Sequence, residues 1–239
     1  MLARRLLYPV LIGGRQGGVM GTLVYVVGPS GAGKDSVMRH ARQRCPGDWP
    51  VLFAHRYITR PVDPDGENHV VLSRQEFCLR RDLGLFCLHW ESHDNAYGIG
   101  LEVEAWLERG LVVVMNGSRG YLDTAVRRFP GLVPVLIRVA PATLRQRLEG
   151  RGRETPEAID RRLERARRFT VDHPAAVHID NSGPLDQAGT RLLALIRLKT
   201  AEQRRSRRPV HQASAGARDS SGWPDAAPAT PEPGSASTG

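Results

Sequence analysis

The chain has little cysteine, almost no lysine and no long apolar run. Cysteine occurs only at Cys45, Cys78 and Cys87, with no C-x-x-C pair. So sparse and odd a set excludes a disulfide scaffold and fits reduced thiols in a cytosolic compartment. No apolar stretch approaches the length of a bilayer span, so no membrane partner is expected. Internal repeats are missing too, which excludes a repeat architecture. All but Lys34 and Lys199 of the 34 basic residues are arginine, set against 25 acids for a formal charge of +9. A guanidinium is a planar fork matched to phosphate. The balance suits nucleic acid or small, multiply phosphorylated substrates. With 239 residues and 41% hydrophobic content, the chain can bury one sizeable α/β core and not a second.

What is present is organised around Gly28-Pro29-Ser30-Gly31-Ala32-Gly33-Lys34-Asp35-Ser36. The β-branched run Leu23-Val24-Tyr25-Val26-Val27 precedes it, and Ser36 to Ala41 read as a helix after it. Strand, glycine-rich turn and helix are the context that makes a G-x-x-x-x-G-K match a phosphate cradle. Small residues let successive backbone N–H groups turn toward phosphate oxygens. The helix adds the positive end of its dipole. Lys34 stands where an ammonium bridges β and γ phosphates. The bland alternative is a glycine-rich turn that binds nothing. One residue is off pattern: Asp35 takes the place of the Ser or Thr whose hydroxyl holds magnesium. Either Ser36 substitutes for it, or Asp35 reaches the metal directly or through water.

Around this stretch the chain reads as alternating strands and helices. Residues 1–21 are expected to be a disordered leader or a start assigned too early, with Met20 as the working start. Arg4-Arg5 and the apolar run after them resemble a signal peptide, but Pro9 interrupts it and no A-x-A site follows. Val51 to Tyr57 is predicted as one strand, ended by Thr59-Arg60-Pro61, with a turn at Asp63-Pro64-Asp65-Gly66. His69 to Leu72 is a short strand, and Ser73-Arg74-Gln75-Glu76 a capping box opening a helix. Leu85 to Trp90 reads as a strand, Tyr97 to Gly100 as a turn, and Leu101 to Arg109 as a helix stopped by Gly110. Leu111 to Met115 has the unbroken apolar character of a parallel strand buried on both faces. Pro134 to Val139 and Ala176 to Asp180 are further strands. Leu144 and Leu148 share one helix face. Thr155-Pro156-Glu157 opens a helix striped by Ile159, Leu163 and Ala166. Leu185 to Lys199 closes the fold. The alternation predicts a parallel α/β sheet with right-handed crossovers. From 201 to 239 the composition turns to Ala, Ser, Pro and Gly, and a disordered tail is expected. His89, Glu91 and His93 are metal-ligand types, but no third ligand is in view and no helix carries the two histidines.

Over roughly residues 22–200 the chain resembles the guanylate kinases. The resemblance rests on Gly28 to Lys34, Thr59-Arg60-Pro61, Gly66-Glu67, Tyr97-Gly98 and Arg151-Gly152-Arg153, in that order. It implies a P-loop NTPase fold: a parallel five-stranded sheet flanked by helices, a small acceptor-binding subdomain over about 53–100, and an arginine-rich lid over about 147–157. The departures are informative. The phosphate-contacting tyrosine aligns with His69, the guanine-reading acid with Leu88, and the D-x-D-x-Q-G element with Met115 to Gly120, which holds no acid. A guanine edge left without acceptors loses about 1 to 3 kcal/mol per unpaired group.

The sequence is more similar to the ribose 1,5-bisphosphate phosphokinases, phosphonate-pathway relatives of those enzymes. Gly28 to Ser36 with its aspartate, His55 to Arg60, Glu67-Asn68-His69, Tyr97 to Gly100, Asn116-Gly117-Ser118-Arg119 and Arg147 to Glu154 carry this likeness. It implies a cytoplasmic enzyme that moves the γ-phosphate of ATP, with Mg2+, onto ribose 1,5-bisphosphate to make 5-phosphoribosyl 1-diphosphate. The expected catalytic residues are Lys34, Arg147 and Arg151, joined by Arg162 in or after the lid. Gly28, Pro29, Ser30, Gly31, Ala32, Gly33, Lys34, Asp35 and Ser36 hold the nucleotide, with Asp35 and Ser36 toward the metal. Arg56, Arg60, His69, Tyr97, Asn116 and Arg119 are expected at the acceptor. The partner is a small phosphorylated sugar; nucleic acid is not the expected partner, and a homo-oligomer stays open. The competing readings are a nucleoside monophosphate kinase and a non-catalytic binding module of the same fold.

Overall fold

A computed structural model describes residues 20–61, 69–92, 94–150, 152, 155–168, 171 and 173–207. Of the leader expected over 1–21 only residues 20 and 21 are described, the turn at 63–66 lies outside the described residues, and of the tail expected over 201–239 only 201–207 are described, with 201–206 helical rather than disordered.

The large sheet contains β1 (Thr22–Val27), β2 (Val51–Phe53), β7 (Val112–Asn116), β8 (Val133–Arg138) and β9 (Val177–Asp180). Its order is β2-β7-β1-β8-β9, and every neighbouring pair is parallel. Parallel strands need crossovers, and the crossovers put helices on both faces. Alternation along β1 therefore feeds two cores. Leu23, Tyr25 and Val27 join Val113, Met115 and Leu136 on one face, covered by α3 (Glu102–Glu108) and α4 (Leu122–Arg128). Val24 and Val26 join Val112, Val114, Val135 and Ile137 on the other. There they meet Val37 and Ala41 of α1 (Lys34–Arg44) and Ala188, Leu192 and Ile196 of α7 (Leu185–Ser206). Each such aliphatic side chain contributes about 1.5 to 3 kcal/mol by leaving water.

A second sheet is inserted between β2 and α3. It contains β3 (Arg56–Ile58), β4 (His69–Val71), β5 (Phe86–Ser92) and β6 (Asn95–Gly100), in the order β4-β3-β6-β5. Phe77 of α2 (Arg74–Asp82) covers it, packed with Leu72 and Phe86. Half of the capping box forms: Glu76 N–H donates to Ser73 Oγ at 3.0 Å, while the Glu76 carboxylate accepts from Arg80 at 2.5 Å. α5 (Pro141–Glu149) and α6 (Pro156–Arg167) make a third cluster through Leu144, Leu148, Ile159 and Leu163. Among the described residues no helix is long and apolar enough to cross a membrane.

Three expectations need correcting. The strand expected over Val51–Tyr57 is two strands in two sheets. The last bond to the large sheet runs from Ala54 N–H to Val114 O, and the chain then leaves to pair with β4 and β6. Tyr97 to Gly100 is not a turn but part of β6. Gly98 is there because the Phe86 ring lies over it; a Cβ would sit 2.7 Å from that ring. The closing helix does not stop at Lys199. Buried Thr200 and Gln203 extend the stripe of Ala188, Leu192 and Ile196, and Gln203 Nε2 donates to Met20 O and Thr22 Oγ1.

Candidate active site

Parallel α/β sheets open a crevice at the carboxyl ends of their strands, and the glycine-rich loop sits there, after central β1. Gly31 (φ 90°) and Gly33 (φ 81°) both adopt the left-handed region that side chains disfavour. Gly33 is also the N-cap of α1, with no side-chain cap, so the first N–H groups of the helix are left for an anion. Lys34 Nζ donates to Gly28 O at 3.1 Å and Pro29 O at 3.4 Å, lying across the loop's own carbonyls.

Two residues from elsewhere fix this loop. Asn181, 2% exposed and just past β9, donates through Nδ2 to Ala32 O at 2.7 Å. It fills the space a Cβ on Gly33 would need, 2.6 Å away. Arg147 of α5 in turn donates to Asn181 O at 2.9 Å. Arg162 of α6 reaches Ser30 Oγ at 3.0 Å. Two lid-side arginines are thus at the cradle; Arg151 lies outside the described residues. Asp35 is exposed in the first turn of α1, and Asn116 Nδ2 donates to its Oδ1 at 2.6 Å. Ser36 is half-buried in the same turn.

A column of rings runs from the small sheet, where the acceptor residues are expected. The Arg56 guanidinium lies 5.0 Å over the Tyr97 ring. The Trp90 ring is parallel to that of Tyr97, 5.5 Å away and 3° off plane, and Tyr121 follows at 5.9 Å. Offset stacking and a cation over a ring each contribute about 0.5 to 1.5 kcal/mol. Tyr97 therefore packs and holds Arg56 as well as offering a hydroxyl. Beneath the column, the Tyr25 hydroxyl accepts from Ser118 N–H and donates to Ser118 O, which fixes the turn carrying Arg119. Burial holds that hydroxyl's pKa far above the usual tyrosine range, against a smaller opposing effect of the Ser118 bond. Arg119 is pushed below the usual arginine range, first by burial and then by the Arg165 guanidinium of α6. His69 is buried and donates through Nε2 to Arg60 O at 3.2 Å, so its ring braces the Arg60 backbone. Thr59 Oγ1 accepts from Ala96 N–H at 2.9 Å. Arg60 Nε is buried and meets no hydrogen-bond partner among the described residues.

The structure thus joins Lys34, Arg147 and Arg162 at the cradle, and Arg56 with Tyr97 in the ring column. Asn116, expected at the acceptor, is instead turned to Asp35. Asn181, Tyr25 and Trp90 went unnoticed in the sequence. A polar triplet, Asp180-Asn181-Ser182, at the end of an apolar strand was the available signal for the first. His93 lies outside the described residues, and Glu91 pairs with Arg74 at 2.9 Å. Among the described residues no group of three or more acids, histidines or cysteines could hold a metal. A single carboxylate such as Asp35 still fits magnesium, which takes one or two carboxylates and completes its shell with phosphate and water.

A glycine-rich cradle after the central strand of a parallel five-stranded sheet, overlaid by arginines from two helices, defines a P-loop kinase of guanylate-kinase-like fold. A guanylate kinase from Anaplasma phagocytophilum shares that fold, with a TM-score of 0.56 and 15% identity over 81% of this chain and 98% of its own. No family model matches the sequence. Ribose 1,5-bisphosphate phosphokinase PhnN of Desulfomicrobium baculatum is 55% identical over 187 residues, 78% of this chain and 100% of its own. The enzyme of the same name from Thiobacillus denitrificans is 52% identical over 184 residues, covering 77% and 97%. The chain belongs to the ribose 1,5-bisphosphate phosphokinase family, and it is a kinase.

Proposed function

We propose that this kinase transfers the γ-phosphoryl group of ATP to ribose 1,5-bisphosphate and forms 5-phosphoribosyl 1-diphosphate. The observation that carries the reading is on the acceptor side. Arg60 Nε is buried and meets no hydrogen-bond partner among the described residues, while Leu88, where a guanine reader would place an acid, is sealed in the core at 2% exposure. Such a site offers a guanidinium to phosphate and, at position 88, no acid to a base edge.

An oxygen of the 1-phosphate attacks the γ-phosphorus, the bond from that phosphorus to the β,γ-bridging oxygen breaks, and ADP leaves. The attacking phosphate is ionised near neutral pH, so no general base is needed. Catalysis reduces to positioning and charge neutralisation. Lys34 and the α1 N-terminus hold the β and γ oxygens. Arg147 and Arg162, with Arg151 between them in the chain, neutralise the group in flight. Asp35, with Ser36 beside it, would hold magnesium, which supplies further neutralisation of those oxygens when bound. Arg60 and Arg56 grip the acceptor phosphates, and Arg119 meets the sugar or its second phosphate. The kinase domain is read over about 22–200, with the rest of α7 continuing it to Ser206. ATP as donor puts the work in the cytoplasm.

Phosphorus NMR of the purified enzyme with ATP and ribose 1,5-bisphosphate tests this. The expected result is the paired signals of a sugar-linked diphosphate rising in step with ADP. ADP without a new acceptor-linked diphosphate would contradict it.

A further inference from the structure

Two residue types stand exchanged at the mouth of the cradle. A P-loop usually follows its lysine with a hydroxyl, and an acid near the end of a neighbouring strand completes the magnesium site. Here the acid, Asp35, follows the lysine. The strand next to β1 ends in an amide, Asn116, whose register partner in β1 is Val26. The two side chains meet at 2.6 Å. A carboxylate only accepts, so the amide nitrogen must face Asp35. The Asn116 oxygen then points away; it is buried and meets no hydrogen-bond partner among the described residues. Asn116 is 3% exposed, whereas Asp35 is exposed.

We propose that Asp35 and Asn116 have exchanged the two parts of the magnesium site: Asp35 supplies its carboxylate, and Asn116 is the positioning residue that aims it. The inference rests on the reading of the cradle as an ATP site. A hydroxyl with an acid, or an acid with an amide, puts one negative charge in the pair. Two acids at this separation would repel, and one would be driven to protonate. The exchange therefore preserves charge while moving it from the strand end to the first turn of α1, where the helix dipole favours an anion.

The test uses the full-length protein with ADP and manganese(II) as the probe metal. The variants are Asp35→Asn, Asn116→Ala, Asn116→Asp and the double variant Asp35→Ser/Asn116→Asp. Manganese affinity is read by electron paramagnetic resonance, and the unfolding midpoint is taken without metal. Metal-free ADP binding is the control for the cradle reading, and its absence in the wild type would count against that reading rather than this one. Asp35→Asn should keep the fold and metal-free ADP binding but lose manganese affinity by about tenfold or more. Asn116→Ala should lose about 10- to 100-fold. Asn116→Asp should lower the metal-free midpoint, and the double variant should recover both the midpoint and manganese binding. Wild-type manganese affinity in Asp35→Asn would overturn the proposal. So would a double variant no better than Asn116→Asp. If the double variant does not fold, Asp35→Asn decides alone.

Discussion

The two halves of the site are built by different means. The cradle is one contiguous stretch, Gly28 to Ser36, fixed by Asn181, which Arg147 braces in turn. The proposed acceptor half draws on β3, β5, β6 and the turn after β7, with Arg56, Trp90, Tyr97 and Tyr121 brought together by strand pairing and ring stacking. A contiguous site depends on local backbone geometry. An assembled one depends on the packing of a whole subdomain, and its specificity can change while the cradle stays as it is.

The largest effect that separates the halves is expected from Lys34→Ala. Turnover should fall by at least about 10²-fold, with the unfolding midpoint within a few degrees of wild type. Turnover near the wild-type rate would remove the cradle from the account. Arg60→Ala should act on the other half. Losing a charge-assisted hydrogen bond worth about 1.5 to 3 kcal/mol should raise the acceptor KM roughly 10- to 100-fold and leave the ATP KM unchanged. An equal rise in both would erase the division. Asn181→Ala is the mirror experiment. It strips the bond to Ala32 O and should destabilise by about 1 to 3 kcal/mol while raising the ATP KM alone. The smallest effects test the frame around both halves. Deleting residues 200–239 should lower stability by about 1 to 2 kcal/mol, because Gln203 bonds to Met20 O and Thr22 Oγ1 are lost. Deleting only 208–239, which holds few apolar groups, should leave the midpoint unchanged. Calorimetry of the two truncations checks the difference.

What the sequence made legible follows the same division. The strand–loop–helix of the cradle and the continuous apolar run at Val112–Met115 are local patterns, and the large sheet could be read from them. The insertion of the small sheet could not. β2 of the large sheet and β3 of the small one lie in one continuous stretch whose split is decided by distant partners, Val114 on one side and Gly98 on the other. Gly98 itself misled, because a glycine that makes room for a ring looks the same as one that turns the chain. The partners of the residues expected at the acceptor were not legible. His69 braces a backbone, and Asn116 faces Asp35, because both depend on neighbours that are remote in the chain.

The central claim is that the acceptor half recognises phosphates on a sugar and not a base. The direct measurement is the ratio of kcat/KM for ribose 1,5-bisphosphate to that for GMP, with ATP saturating and salt held constant. Two or more lost base-edge contacts at about 1 to 3 kcal/mol each predict a ratio of roughly 10² or higher in favour of the sugar. A ratio near or below unity would contradict the account and return the protein to the nucleotide kinases.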